Sequence, residues 1–253
     1  MTLSAPEILD LETISARAWP AARTMGLGGW RLHASAGFSG RTNACWPLGD
    51  PELALDDAIA RAEAWYESHG LPSLYKIVDA ACAPPGLPER LAARRYRSHT
   101  ETIMMTGPVA GLGDPAVILG DVVEPDFAAV FAATAHGPGD ARERLETLER
   151  VPRPRAFARL YAEGSPAAIG AGAAEGDWAG VFAMRTDPRF RRQGLARRIL
   201  ASLMAFAAGA GANRAWLQVE AVNTGAIALY QAAGFREAYR YQYWSRPASG
   251  APS

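Results

Sequence analysis

Apolar residues at Leu195, Ile199, Leu200, Leu203 and Phe206 recur at the spacing of one helix face, and just before them Ala179-Gly-Val-Phe-Ala-Met184 is a continuous apolar run of strand length. Between the two lies Asp187-Pro-Arg-Phe-Arg-Arg-Gln-Gly194, polar and turn-forming, so the pattern predicts strand, tight turn, helix. Upstream, the same reading predicts strands at Ala116–Val123 and Ala156–Tyr161 and helices at Pro125–Thr134 and Asp140–Arg150. Ala167–Ala174 and Trp178–Thr186 form a hairpin around the turn Glu175-Gly176-Asp177. Downstream, Trp216-Leu-Gln-Val-Glu220 reads as a strand, Asn223 as the N-cap of a helix that Gly234 stops, and Tyr239–Trp244 as a last strand.

Gly107-Pro-Val-Ala-Gly-Leu-Gly-Asp-Pro115 interrupts this patterning and divides the chain into residues 1–110, residues 115–246 and a tail at 247–253. In the first part, Gly29–Ala34, Arg41–Leu48, Ser73–Val78 and Glu101–Thr106 read as strands, and Glu52–His69 and Glu89–Tyr96 as helices. Leu91-Ala-Ala-Arg-Arg-Tyr-Arg97 followed by Thr102-Ile-Met-Met105 echoes Tyr230-Gln-Ala-Ala-Gly-Phe-Arg236 followed by Tyr241-Gln-Tyr-Trp244, and Asp50-Pro51 echoes Asp187-Pro188. A degenerate internal repeat is expected.

The turn before Leu195 carries chemistry. At a helix start several N–H groups lack internal partners and the helix dipole is positive, so a phosphate can lie on the amides of Gln193, Gly194, Leu195 and Ala196. Gly194 permits close approach, and Arg191, Arg192 and Arg197 add charge. The spacing fits neither the nucleotide loop ending in Gly-Lys-Ser/Thr nor the three-glycine dinucleotide fingerprint. The corresponding helix of the first part starts Glu52-Leu-Ala-Leu-Asp-Asp57, without glycine or arginine and with acidic groups that repel a polyphosphate.

Arg191-x-x-Gly194-x-Ala196 after a strand and a proline turn resembles the acyl-CoA loop of the GCN5-related N-acetyltransferase (GNAT) superfamily. Asn223, Ala226, Leu229, Tyr230, Gly234 and Phe235 match that family's next motif, Asn-x-x-Ala-x-x-Leu-Tyr-x-x-x-Gly-Phe, at the expected distance. The resemblance covers about half the chain, residues 116–246. It implies an α+β fold with a mixed sheet, the GNAT fold, complete in the C-terminal half and partial in the N-terminal half, where the first part looks like the inactive N-terminal halves of tandem members. An unrelated α+β cap is the alternative for residues 1–110.

The family implies acetyl-CoA as cosubstrate and direct transfer of its acetyl group to a primary amine. Met184 and Thr186 would hold the pantetheine arm by their backbone, Arg185 facing the other way, with Asn223 as a further partner of that arm. Tyr230 falls at the family's general-acid position, although the same spacing suits a core aromatic. The position where several relatives carry a glutamate base is Gln218, which cannot accept a proton, so Glu220, two residues on and on the same strand face, is the first candidate base. Glu175 and Asp177 in the hairpin turn rank lower, a water chain is equally consistent, and His136 reads as a solvated loop residue. Arg41, Asn43 and Trp46 of the first part are the residues to examine for reach toward the thioester. A non-catalytic acyl-CoA-binding or regulatory protein is the competing function.

Composition narrows the partners. Of 253 residues about half are apolar and the formal net charge is zero, which leaves no footprint for nucleic acid or an anionic membrane. Lys76 is the single lysine and Cys45 and Cys82 the two cysteines, both in the first part, which speaks against an acetyl-cysteine intermediate. No metal-ligand spacing is present. A cytoplasmic enzyme is expected, a monomer or homodimer acting on a small-molecule amine or a peptide; a first part that narrows the groove would favour small amines or a chain terminus over a lysine within a folded protein.

Overall fold

The computed structural model describes residues 3–247, so the expected tail lies outside the described residues beyond Pro247. Its strands are β1 Arg23–Leu27, β2 Trp30–Ala34, β3 Cys45–Pro47, β4 Leu74–Val78, β5 Arg97–Pro108, β6 Ile118–Gly120, β7 Arg155–Ala162, β8 Ser165–Glu175, β9 Trp178–Thr186, β10 Arg214–Glu220 and β11 Arg236–Ser245. The helices are α1 Ala5–Ala18, α2 Leu55–Ser68, α3 Leu87–Ala93, α4 Pro125–Ala132, α5 Pro138–Arg150, α6 Leu195–Gly209 and α7 Thr224–Ala232. Elements from 116 onward follow the expected order. In the first part β3 is shorter than expected, because residues 40–42 form a 3-10 turn instead of extending it.

Two elements lie outside the sequence reading, α1 and β1. The signal for α1 is present as a Ser4-x-x-Glu7 capping box, in which the Ser4 amide and hydroxyl both donate to Glu7 Oε2, at 2.8 and 2.7 Å. Ile8, Leu11, Ser15 and Ala18 form its buried stripe.

All strands join one mixed sheet in the order β1-β2-β3-β4-β11-β5-β10-β9-β8-β7-β6. Each half's last strand is exchanged: β5 pairs with β10 and β11 pairs with β4, the two lying side by side at the centre. The sheet therefore continues through the turn-rich boundary at 107–115. The helix stops before β5 and β11 are alike, with left-handed Arg95 (φ 68°) after α3 and Gly234 (φ 91°) after α7.

One sheet face carries α1, α4 and α5 over a core that includes Leu11, Trp19, Phe127, Phe182, Trp216 and Tyr241. The opposite face carries α2 and α3 over Trp30, Tyr66 and Tyr75 in the first half, and α6 and α7 over Val181, Ile199, Leu217 and Phe235 in the second. Across the first face α1 is tied down by a buried ion pair: Lys76 Nζ lies 2.5 Å from Glu12 Oε2, both side chains fully buried. Tyr239 donates to the other Glu12 oxygen at 2.6 Å, and Lys76 lies over the rings of Trp46 and Tyr241 at 3.8 and 4.1 Å.

His33 packs against Trp46 with the rings tilted, centroids 4.9 Å apart, and its Nε2 is buried without a partner among the described residues. Burial first, then the charges of Lys76 and Arg31, push its pKa from 6.5 down to about 4. The folded protein thus holds His33 neutral while the unfolded chain protonates it. Stability is full above about pH 6.5 and should fall toward pH 4 by up to about 1.4 kcal/mol per pH unit. Urea unfolding across that window should show this slope, and His33→Gln should flatten it.

Candidate active site

β9 and β10 run parallel and pair from Arg214↔Trp178 to Leu217↔Val181, and there the ladder ends. Beyond that point Phe182–Thr186 pair only with β8, while Gln218–Glu220 pair only with β5. A wedge opens through the sheet, with an unpaired backbone edge along each side. Its local cause is a bulge: the β8–β9 register shifts between Ile169 and Ala171, and Ala183 adopts φ 55°. Gly170 makes room for it, since a Cβ there would lie 2.5 Å from Met184 Sδ and 2.6 Å from Ile199 Cγ2.

The bulge also sets which way β9 side chains face. Phe182 and Ala183 both join the α1–α4–α5 core, and thereafter Met184 packs toward α6. Arg185 faces α4, where its Nε donates to Thr134 Oγ1 at 3.1 Å. Met184 therefore offers the wedge its backbone, and its carbonyl already accepts from Arg185 Nη1 at 2.8 Å. Thr186 continues the same strand edge.

At the end of β9 the chain turns through a 3-10 turn at Pro188–Phe190 into α6. Arg192 (φ 64°) and Gly194 (φ 75°) are left-handed, and the first helical bonds run from Arg197 and Arg198 to the Gly194 carbonyl. The amides of Gln193, Gly194, Leu195 and Ala196 consequently have no acceptor among the described residues. The Leu195 side chain is in the core, so only its amide can serve a ligand. Arg191, Arg192 and Arg197 form no ion pair among the described residues, whereas Arg189 is paired with Asp187 and Arg198 with Asp114.

On the same face, Tyr230 of α7 lies in the core with Val219 of β10, against which Met184 of β9 also packs. Its ring packs near Phe235, with centroids 6.2 Å apart, and its hydroxyl makes no hydrogen bond among the described residues. Burial pushes its pKa up to about 12, opposed by the nearby charge of Arg185. Asn223 caps α7, its Oδ1 accepting from the Ala226 amide at 3.1 Å, and its amide nitrogen has no acceptor among the described residues. Gln218 Oε1 accepts from Tyr241 at 2.8 Å, and Glu220, exposed at the end of β10, has no side-chain partner among the described residues. By strand alternation Gln218 and Glu220 share the face of buried Trp216, the α1–α4–α5 face.

The remaining candidates are kept apart from the wedge. Glu175 is held by Arg17, and Asp177 by Asn213 and Arg214, at the opposite end of β9 from Thr186. His136 is exposed, and only its backbone amide is engaged, by Asp140 at 2.9 Å. Asn43 is locked in the first half's 36–43 loop, and Trp46 lies buried beneath Lys76. Arg41 differs: it lies over Trp19 at 4.7 Å and has no hydrogen bond among the described residues.

The first half covers the α4–α5 side through Glu143 of α5. This buried carboxylate accepts from the amides of Ala36, Phe38 and Ser39, from Thr42 Oγ1 and from Asn43 Nδ2, at 2.7–3.2 Å. The sequence reading found neither Glu143 nor Trp19. Nothing in α5's periodicity distinguishes a buried glutamate, because its partners lie about a hundred residues away.

Residues 5–244 match the family model described as "Probable histone acetyltransferase Rv0428c C-terminal". The chain is 27% identical over 245 residues to "Uncharacterized N-acetyltransferase YobR" of Bacillus subtilis, covering 94% of this chain and 98% of that protein. It is 28% identical over 238 residues to "Probable histone acetyltransferase Rv0428c" of Mycobacterium tuberculosis, covering 93% and 73%. Among solved structures, a GCN5-related N-acetyltransferase from Kribbella flavida shares the fold with a TM-score of 0.68 at 20% identity, over 98% of this chain and 97% of that one.

Proposed function

The chain belongs to the probable histone acetyltransferase Rv0428c C-terminal family and is a GNAT N-acetyltransferase, an acyltransferase, and from that premise we propose that it transfers acetyl directly from acetyl-CoA to a primary amine of a small molecule or a chain terminus. The observation that carries this reading is the conjunction of the open wedge with the unbonded amides of residues 193–196 at its end. Those amides and the helix dipole suit a pyrophosphate, with Arg191, Arg192 and Arg197 free to add charge. The unpaired edge of β9 at Met184 and Thr186 suits an amide-bearing arm, and the free nitrogen of Asn223 can donate to it. Bound there, acetyl-CoA supplies the acetyl group as a thioester.

Tyr230 donates its proton to the sulfur as the C–S bond breaks and the new C–N bond forms. Glu220, directly or through water, takes the proton that the amine loses. Cys45 is buried on the α2–α3 face and Cys82 borders the same core, both thiols pushed up by burial, Cys82 to about 11, which supports transfer without a cysteine intermediate. The first half is a GNAT-like module without a cofactor loop, as its mirrored strand order and acidic α2 start support, so one acetyl-CoA is bound per chain. The cover it lays over the α4–α5 face favours small or terminal amines. No helix among the described residues is long and apolar enough to cross a membrane, and we place the enzyme in the cytoplasm.

The test is thiol release from acetyl-CoA in the presence of a panel of primary amines. Amine-dependent release is expected; CoA binding without turnover on any amine would leave a non-catalytic acyl-CoA binder. Gly194→Val places a β-branched residue at φ 75° and a side chain where phosphate must approach. CoA affinity measured by calorimetry should fall by roughly 10–100-fold, and an unchanged Kd would remove the turn from the site.

A further inference from the structure

Two arginines on the α1–α4–α5 side of the wedge have no counter-ion. Arg185, at the end of β9 and partly buried, donates to Thr134 Oγ1 and to the Met184 carbonyl and lies over Phe131 at 5.7 Å, but forms no ion pair among the described residues. Arg41 has neither hydrogen bond nor ion pair among them; it rests on Trp19, whose ring meets Phe182 of β9 edge-on at 5.0 Å. Three carboxylates of this face are spent. Asp140 is taken by Arg144 at 2.7 Å and by the His136 amide. Glu143 is taken by the 36–43 loop, and Glu12 by Lys76 and Tyr239. Arg144 brings a third guanidinium to Thr134. Burial, then Arg144, then Arg41, work against the charge on Arg185. Guanidinium groups withdrawn from water are ordinarily paired, so two on one sheet face without a carboxylate partner among the described residues mark an anion site.

We propose that the acetyl acceptor is a small amine bearing a carboxylate, which Arg41 and Arg185 hold beside the wedge. The inference rests on the acetyltransferase reading and names its substrate class. The anion is not the CoA pyrophosphate, because the amides of residues 193–196 open at the start of α6, on the opposite face from α4. It reaches the reaction centre because the wedge passes through the sheet beside Arg185, whose Nη1 donates to the Met184 carbonyl beyond the end of the β9–β10 ladder. A carboxylate offers two coplanar oxygens to guanidinium forks, and the Trp19 and Phe131 rings flank the two arginines. The 36–43 loop, clamped by Glu143, restricts this face to compact acceptors.

The experiment compares free amino acids with their carboxamides as acceptors, by thiol release, for the parent protein, Arg41→Gln and Arg185→Lys. Acids should exceed amides in kcat/KM by at least roughly 10-fold, and Arg41→Gln should reduce that acid-to-amide ratio by roughly 10–100-fold. Arg185→Lys, which keeps the charge but loses the fork, should reduce it less. Amides used as well as acids, a ratio unmoved in both variants, or a preference for phosphorylated amines would overturn the inference. If no amine is acetylated, the transfer reading falls, and calorimetry on the CoA-bound protein decides the subsite alone. Binding of the acids but not the amides, lost in Arg41→Gln, upholds it, and equal or absent binding overturns it.

Discussion

Tyr230→Phe should lower kcat by roughly 10²–10⁴-fold while leaving the fold and the affinity for acetyl-CoA nearly intact. The ring is part of the α6–α7 core beside Phe235, and phenylalanine keeps that packing. The hydroxyl has no partner among the described residues, so its removal strands no buried group. On the proposed mechanism, what is lost is the proton for the departing thiolate. With its pKa pushed up to about 12, Tyr230 stays protonated through neutral pH, and only above that value would the acid be spent. The rise of kcat with pH should therefore follow deprotonation of the amine, with no falling limb from Tyr230 below about pH 11. Steady-state kinetics of both proteins across pH 6–10 read this directly. A variant within a few-fold of the parent would return Tyr230 to the status of a core aromatic.

The largest effect on stability is expected at the buried pair. Glu12→Ala leaves the Lys76 ammonium without its counter-ion where both side chains are fully buried, a loss of about 3–5 kcal/mol. Burial already holds the Lys76 pKa below its ordinary value of 10.5, with Glu12 working in the other direction. Without Glu12 the folded pKa drops further while the unfolded one does not. The variant should therefore be least stable at acidic and neutral pH and regain stability as pH rises toward the ordinary lysine value, which urea unfolding at two pH values would show. Replacing both partners, Glu12→Leu with Lys76→Met, removes the charges together and should recover most of the loss. Because Glu12 anchors α1, and the chain just past α1 supplies Trp19 beneath Arg41, Glu12→Ala should also disturb the α4–α5 side of the sheet more than the turn before α6.

The second half was largely legible because its signals are local. A glycine turn, an N-cap and a helix stop each act within a few residues, and the order from β6 to β11 follows from them. The glycine turn before α6 belongs to this class. In β9, simple alternation places Arg185 opposite Met184, as found, but the bulge at Ala183 reverses the phase of the strand before it. In the first half the signals are weaker. The α1 stripe is interrupted by Glu12 and Ser15, both buried, and a buried glutamate reads as a surface position until its lysine is known.

From the sequence by itself come the superfamily resemblance, the turn at residues 191–197, the positions of Tyr230 and Asn223, and the acidic, glycine-free start of α2, all of which depend on neighbours in the chain. Tertiary structure alone decided the exchange of β5 and β11, the Glu143 clamp, the Glu12–Lys76 pair and the placing of Arg41 over Trp19, which packs against Phe182 of β9. Each of these joins residues far apart in the chain, whose charges and edges find their partners only once one sheet has brought them together.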